Sequence, residues 1–227
     1  MRILLVGHGR MGRLVESVAE SYGAGIAGIV TIDSPPGTLA TGDFGHVDVA
    51  IDFSRPDAVP VNLPVLAGRG INVVIGTTGW GAHEAAMREC VEACGTGVIA
   101  ASNFSVGMFI FRQAVAEAAR RFAAQPDFGA WIHEAHHAAK LDAPSGTALS
   151  IKASMAAAGY ASTIDVSSTR AGSFPGTHTV GFDGPAESIT FTHKVRDRAV
   201  FAHGALAAAQ WIRGRRGWYG IEDVLGN

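Results

Sequence analysis

The segment 134–148, with the sequence E-A-H-H-A-A-K-L-D-A-P-S-G-T-A, combines features that bind anions with groups that transfer protons. Ser145 precedes a helix-forming stretch and is well placed as its N-cap. The first N–H groups of that helix, at Gly146 and Thr147, have no partners within the helix, and the helix dipole adds partial positive charge there. Gly146 also lacks a side chain that would hold an anion at a distance. The pattern predicts a clamp for a carboxylate or a phosphate.

Cationic and titratable side chains stand just upstream of this predicted clamp. His137 and Lys140 add positive charge, and both imidazole and ammonium groups transfer protons. A zinc site on a helix needs H-E-x-x-H, whereas residues 133–137 read H-E-x-H-H at a predicted strand end, where alternate side chains point in opposite directions. We therefore expect no metal. A nucleophilic role for Ser145 lacks the G-x-S-x-G context, which favours the N-cap role.

A second candidate site follows the first predicted strand, Arg2 to Val6. The next six residues match G-x-G-x-x-G and open a predicted helix, which is the context that a dinucleotide-binding loop requires. In such a loop the glycines permit a tight turn, close approach of a pyrophosphate and close packing of the helix on the strand. We expect cofactor contacts from all six residues, namely Gly7, His8, Gly9, Arg10, Met11 and Gly12.

Asp33 bears on which dinucleotide is bound. It ends the second predicted strand, 21 residues after Gly12, where an acidic side chain accepts hydrogen bonds from the ribose hydroxyls of the adenosine. The residues that follow, Ser34, Pro35 and Pro36, carry no positive charge to offset repulsion between Asp33 and a 2′-phosphate. We therefore predict that NADH is preferred over NADPH.

Two loops after later strands complete the predicted cofactor site. Ligands of parallel sheets lie at the carboxyl ends of the strands, and small or hydroxylated residues suit close contact with a ribose and a nicotinamide. The predicted contacts are Gly76, Thr77 and Thr78 after the fourth strand, and Ala101, Ser102, Asn103 and Phe104 after the fifth.

The order of predicted elements indicates two domains. Strands and helices alternate through residues 1–104, which predicts a Rossmann-like, doubly wound parallel sheet of the α/β class. A long helix, an apolar strand and three clustered strand-like runs follow, which predicts a C-terminal α+β domain with a mixed sheet. We expect residues 1–104, completed by a final helix in 202–227, to bind the dinucleotide, and residues 105–201 to bind substrate and to form the oligomer.

Composition excludes several classes of protein. The 227 residues are 48% hydrophobic with a net charge of −2, so the chain is globular and has no basic block for nucleic acid. No apolar stretch has the length of a membrane helix, and the first residues lead directly into a motif, unlike a signal peptide. We expect a cytoplasmic protein without nucleic-acid or membrane partners.

Several segments in order resemble the dihydrodipicolinate reductase family, whose members are now called 4-hydroxy-tetrahydrodipicolinate reductases. The resemblance covers essentially the whole chain. The segments are G-R-M-G (9–12), I-D-F-S-R-P (51–56), V-I-G-T-T-G (74–79), S-N-F-S-V-G (102–107), the run 134–148, R-A-G-x-x-x-G-x-H (170–178), T-H-K-V-R-D-R (192–198) and the final D-V-L.

The resemblance implies roles for the central motif. His136 and Lys140 correspond to the family's catalytic histidine and lysine. His137, Gly146 and Thr147 correspond to groups that hold the substrate carboxylates, and Arg198 resembles a further substrate contact. The implied reaction is reduction of 4-hydroxy-tetrahydrodipicolinate to tetrahydrodipicolinate by NADH or NADPH in diaminopimelate and lysine biosynthesis. The family also implies a homotetramer built through the sheet of the second domain.

Two rival interpretations share parts of the pattern. Another two-domain dehydrogenase, acting for example on aspartate or homoserine, would share the first domain but should lack the double histidine and the D-A-P-S-G-T clamp. A non-catalytic, redox-sensing NAD-binding module would need only the first half of the chain. That module would leave His136, Lys140 and Arg198 unexplained, and it would bind cofactor without turnover.

Overall fold

The computed structural model describes residues 1–226, in which the chain divides into two compact units. The first unit comprises Met1–Phe104 together with the chain from Ala199 onwards, and the second comprises Ser105–Arg198. The division falls three residues before the predicted boundary at 201/202, because the last long helix begins at Ala199.

The helices and strands follow one another with short connections. In chain order they are β1 (Arg2–Val6), α1 (Arg10–Val18), β2 (Gly25–Val30), α2 (Thr38–Thr41), β3 (Val49–Asp52), α3 (Val59–Gly68), β4 (Asn72–Ile75), α4 (Glu84–Cys94), β5 (Gly97–Ala100), α5 (Val106–Phe122), β6 (Gly129–His136), α6 (Gly146–Ala157), β7 (Ile164–Arg170), β8 (Thr177–Asp183), β9 (Ser188–Lys194), α7 (Ala199–Ile212), β10 (Gly217–Tyr219) and α8 (Ile221–Leu225). Short 3₁₀ turns occupy residues 19–22 and 81–83.

The first unit is built on a six-stranded sheet in the order β10-β5-β4-β3-β1-β2. All of its strand pairs are parallel, which requires helices on both faces and explains why β3 is buried along its whole length. The order reverses beside β1, so the loops after β1 and β3 open a crevice at the carboxyl ends of the strands. The predicted Rossmann-like class is confirmed.

Two elements of the first unit are only weakly indicated by the sequence. The proline-rich segment forms the ten-residue helix α3, with Pro60 in the first turn, where the missing N–H has no helical partner to lose, and Pro64 inside the helix. The strand β10 was not predicted. Its three residues are too few to show a periodicity, and it is held by pairing with β5.

The second unit is built on a mixed four-stranded sheet in the order β7-β6-β8-β9. β6 pairs parallel to β7 and antiparallel to β8, and β8 pairs antiparallel to β9, as predicted for a mixed sheet. The core of this unit lies between the sheet and the helices α5 and α6, with Phe182, Ile132 and Ile151 fully buried in it. No helix in residues 1–226 is both long and apolar enough to span a membrane.

Candidate active site

The loop after β1 depends on glycine at two positions for different reasons. Gly7 has a φ of +89°, and a Cβ there would lie 2.5 Å from the Phe53 carbonyl oxygen. Gly12 is buried in α1, and a Cβ there would lie 2.2 Å from the carbonyl oxygen of Gly7. Gly9 is the N-cap of α1, and the space around its missing side chain is open. The loop therefore leaves the amino end of α1 accessible to a phosphate group.

A cavity of about 600 Å³ lies beside this loop. Four of the predicted cofactor contacts line it, namely Asp33, Gly7, His8 and Gly9, and the His8 side chain also lies 2.7 Å from Glu16. An open glycine loop, a helix N-terminus and an acidic side chain in one cavity fit a dinucleotide. Sequence reasoning missed the other polar residues of the lining, namely Thr31, Arg13, Ser54, Arg55, Asp57 and Asn62.

Two arginines, Arg13 and Arg55, line this cavity, and their charges affect whether NADH or NADPH is preferred. Arg55 pairs with Asp57 through two hydrogen bonds of 3.1 and 3.0 Å, which offsets its charge. Arg13 is exposed, and the part of the chain that the structure describes offers it no acidic partner. The immediate chain neighbours of Asp33 carry no positive charge, but the fold adds an arginine from α1 to the same cavity.

The loops after β3 and β4 are shaped by a buried aspartate. Asp52, at the end of β3, accepts hydrogen bonds from the Ser54 amide and hydroxyl, from the Thr77 hydroxyl at 2.9 Å and from Asn62. The predicted contact Thr77 therefore uses its hydroxyl within the protein, and Gly76 is required because a Cβ would lie 2.0 Å from the Phe53 ring. The I-D-F-S-R-P segment was the sequence signal for these residues.

The remaining predicted cofactor contacts lie at the start of α1 and in the loops after β4 and β5. Arg10 and Met11 form the first turn of α1, and Thr78 follows Thr77 at the surface. Phe104 is buried, which assigns at least part of its role to packing. Ala101, Ser102 and Asn103 connect β5 to that phenylalanine.

The second unit contains the segment that the sequence predicted to be an anion clamp. Ser145 is the N-cap of α6, and its hydroxyl accepts a hydrogen bond of 3.2 Å from the Ala148 amide, which confirms the predicted helix start. Gly146 and Thr147 are the first two residues of the helix, and no atom would contact a Cβ at Gly146. The amino end of α6 is thus open to a ligand on the glycine side.

Lys140 and a carboxylate stand in front of this helix start. The Lys140 ammonium donates a hydrogen bond of 2.6 Å to the Asp142 carboxylate. Burial would raise the pKa of Asp142, but hydrogen bonds from Lys140 and from backbone amides, including that of Gly146, lower it below the usual 3.8. The Asp142 carboxylate therefore interacts with Lys140 and the Gly146 amide, which are groups that the sequence predicted to bind an anion.

A fully buried carboxylate, Glu134, lies at the centre of the cluster. One oxygen, Oε1, accepts hydrogen bonds from the Ser145 amide at 2.9 Å, the Ser168 hydroxyl at 2.7 Å and Arg170 at 2.6 Å. Burial alone would raise the pKa of Glu134, but these hydrogen bonds outweigh it and lower the pKa to about 2. Glu134 is therefore ionised at neutral pH although it has no solvent contact.

Two histidine rings lie close to the other oxygen of Glu134, Oε2. A third histidine, His193, lies opposite His178 in the sheet. His136 Nδ1 lies 3.2 Å and His178 Nε2 lies 3.6 Å from Glu134 Oε2, and the two rings meet edge to face. Burial lowers the pKa of His136 below its usual 6.5, and it lowers the pKa of His178 to about 4. Burial also lowers the pKa of His193. All three are neutral at pH 7.

Glu134, His136 and His178 could in principle hold a metal ion, because one ligand atom from each lies within 4.8 Å of the others. The charges around them disfavour a cation, since Arg170 and Lys140 both act on this cluster. Of the predicted substrate contacts, His137 and Arg198 are both half-buried, and the backbone amide of His137 donates to the Phe174 carbonyl at 3.0 Å.

Comparison with models of known protein families shows to which family the chain belongs. The family model for the N-terminus of dihydrodipicolinate reductase matches residues 1–104, and the model for its C-terminus matches residues 107–225. The chain belongs to the dihydrodipicolinate reductase family. The resemblance drawn from the sequence is therefore confirmed over both units.

Curated relatives of the family cover the chain from end to end. A 4-hydroxy-tetrahydrodipicolinate reductase from Rhodopseudomonas palustris strain BisB18 is 36% identical, and the match covers 100% of this chain and 97% of the relative. One from Christiangramia forsetii is 34% identical over 99% and 98% of the two chains.

Solved structures support the same fold. A dihydrodipicolinate reductase from Paenisporosarcina with bound dipicolinate has a TM-score of 0.76 and 22% identity, covering 99% of both chains. An aspartate dehydrogenase from Thermotoga maritima has a TM-score of 0.52 and 12% identity, covering 95% of this chain and 97% of its own. At 12% identity, the aspartate enzyme shows a shared fold alone.

Proposed function

We propose that this protein reduces 4-hydroxy-tetrahydrodipicolinate to tetrahydrodipicolinate with a reduced nicotinamide dinucleotide. The observation that carries the proposal is the full-length match to dihydrodipicolinate reductases, together with a cluster in which His136, Lys140 and the start of α6 lie on one unit. The activity belongs to diaminopimelate and lysine biosynthesis.

The substrate carries two carboxylates, and the proposed clamp supplies several groups suited to them. The amides of Gly146 and Thr147 lie at the positive end of α6, and Lys140 stands in front of it. His137 and Arg198 are the further proposed contacts. Hydrogen bonds between charged partners are stronger than neutral ones, so a dianion gains more from this site than a neutral ring would.

Lys140 is the proposed proton donor. His136 has a pKa lowered by burial and is neutral at pH 7, so an ammonium is the better general acid of the two. A bound reduced nicotinamide would supply the hydride for ring carbon C4 as the 4-hydroxyl is lost as water, and the one proton that the net reaction consumes would come from Lys140. The protein's own part is to hold the dianion, to supply the proton from Lys140 and to place positive charge beside the ring.

For the cofactor we propose a preference for NADH with NADPH also accepted. Asp33 supports NADH, and the exposed Arg13 in the same cavity supports some tolerance of a 2′-phosphate. Calorimetric titration of both dinucleotides tests this, with Asp33→Asn expected to narrow the difference and Arg13→Ala to widen it. Tighter binding of NADPH by the wild type would contradict the preference.

We also propose a cytoplasmic homotetramer. Support for the oligomer comes from the sheet of the second unit, where β7 and β9 expose most of their residues, including Ile189. Sedimentation velocity at several concentrations tests the tetramer, and a protein that sediments as a monomer throughout would contradict it.

A coupled assay tests the reaction. Aspartate semialdehyde and pyruvate are condensed in place by a separate synthase, and NADH and NADPH oxidation is followed at their absorbance maximum. Turnover that requires both the condensed substrate and this protein is the expected result. Cofactor binding without turnover would instead favour a redox-sensing module, and turnover with another carboxylate only would favour a different dehydrogenase.

A further inference from the structure

Glu134 belongs to the central sequence motif, and no proposed chemical role uses it. It is fully buried and ionised, and three other elements approach it. It lies on β6, bonds to the start of α6 through Ser145, bonds to β7 through Ser168 and Arg170, and faces His178 of β8. A buried carboxylate is costly unless it is well paired, so its position calls for a reason.

The two oxygens of this carboxylate have different partners. Oε1 accepts three hydrogen bonds, which fix the carboxylate and hold the backbone at Ser145. Oε2 is fully buried and, among residues 1–226, has no hydrogen bond of standard geometry, but it lies 3.2 Å from Nδ1 of His136. That Nδ1 is likewise fully buried and has no other partner.

A carboxylate only accepts hydrogen bonds, so the nitrogen that faces it must carry the proton. Nδ1 is therefore the protonated nitrogen of the neutral His136 ring, which leaves Nε2 unprotonated. The His136 side chain is 11% exposed, and the Nε2 edge of its ring lies against Gly176, where a Cβ would come within 3.2 Å of Nε2. The glycine keeps a side chain away from that edge of the imidazole.

We propose that Glu134 is a positioning residue that sets His136 as the Nδ1–H tautomer and so presents Nε2 as an acceptor, while its other oxygen anchors the start of the anion-binding helix. This proposal rests on the proposed function and deepens it, because it gives the two catalytic residues different roles. Lys140 donates the proton, and His136 accepts a hydrogen bond or a proton at Nε2 instead of donating one.

Nitrogen NMR of histidine-labelled protein tests the tautomer without any assay of activity. Spectra are recorded at pH 8, where the ring is neutral, and the His136 signals are assigned by their loss in His136→Gln. The wild type is expected to show a protonated Nδ1 and an unprotonated Nε2. In Glu134→Gln, the amide group can donate to Nδ1, so the population should shift towards the Nε2–H form. A wild-type ring protonated at Nε2 would overturn the proposal.

A double-mutant cycle tests whether Glu134 acts through His136. Glu134→Gln alone is expected to lower kcat by about 10- to 100-fold, since a misplaced acid–base group loses most of its contribution. In the His136→Gln background the same change should lower kcat no further, although KM should still rise through the loosened Ser145 backbone. An equal loss of kcat in both backgrounds would show that Glu134 does not act through the imidazole.

Two controls separate this proposal from folding and from the proposed function. The control variant Ser167→Ala changes the residue that precedes Ser168 on β7. Among the described residues Ser168, and not Ser167, bonds to Glu134, so this variant should leave the tautomer and kcat unchanged. Thermal melts establish that each variant is folded. If the wild type shows no reductase turnover, the proposed function fails, whereas the tautomer in the wild-type spectrum still decides the role of Glu134.

Discussion

We expect Asp142 to compete with the substrate for the proposed clamp in front of α6, so that removing its charge strengthens substrate binding. Its carboxylate accepts a hydrogen bond of 2.6 Å from Lys140, and the Gly146 amide contributes to lowering its pKa. Lys140 and Gly146 are the same groups that we assign to a substrate carboxylate. A bound dianion must therefore displace Asp142, and Asp142→Asn removes the competing charge while keeping the shape.

The size of the effect follows from exposure. The Lys140 side chain is 24% exposed and the Asp142 side chain is 55% exposed, so solvent screens most of their attraction. Exposed ion pairs contribute about 0.2–1 kcal/mol, and a tenfold change in affinity corresponds to about 1.4 kcal/mol. The variant should therefore lower KM, and the Kd of the dicarboxylate dipicolinate, by about 1.4- to 5-fold.

Steady-state kinetics and calorimetry with dipicolinate measure this change at low and high salt. The gain should shrink as salt increases, because exposed charges are screened. Asp165→Asn, which removes an exposed aspartate from β7, is the matched control and should leave both constants unchanged. An Asp142→Asn variant whose KM is unchanged or higher at low salt would refute the competition and assign Asp142 a supporting role.

Three further predictions concern catalysis and stability. Lys140→Ala should lower kcat by about 100-fold or more with a smaller change in KM, and near-normal turnover in the coupled assay would exclude it as the general acid. The folded-state pKa of His178 is about 4 against 6.5 unfolded, so its stabilising contribution is complete above pH 6.5 and is lost as pH falls towards 4. That contribution is at most about 3 kcal/mol, and His178→Gln should flatten the dependence of urea denaturation on pH across this window. Gly204→Ala places a Cβ 1.8 Å from the Phe104 carbonyl oxygen and should cost about 2 kcal/mol or more, whereas Gly68→Ala meets no atom and should leave the melting temperature nearly unchanged.

Periodicity and turn residues predicted most elements of the fold. The alternation of strands and helices predicted the parallel sheet of the first unit, and Ser145 begins α6 as its capping chemistry indicated. These features depend on local sequence, so they can be read without the tertiary structure. The strand β10 could not be predicted, because only its pairing with β5 makes those three residues a strand.

The sequence indicated the parts of the candidate site that lie within one short segment. It did not indicate the parts that are formed by segments distant in the chain. The run 134–148 indicated an anion clamp with proton-transfer groups, and the glycine loop indicated a dinucleotide. The contribution of Arg13 to the cavity beside Asp33 depends on how α1 packs beside β2. Likewise the partners of Glu134 on β7 lie more than thirty residues away, at Ser168 and Arg170. Side chains brought together only by folding leave no spacing pattern in the sequence.

Transfer of deuterium from the cofactor to the product tests whether the protein reduces the proposed substrate with a nicotinamide hydride. Dinucleotide carrying deuterium at C4 of the reduced nicotinamide is supplied with the condensed substrate, and the product is examined by mass spectrometry and NMR. The account predicts tetrahydrodipicolinate with one deuterium at ring carbon C4. Oxidation of the cofactor without deuterium at that carbon, or no oxidation that depends on the substrate, would contradict it.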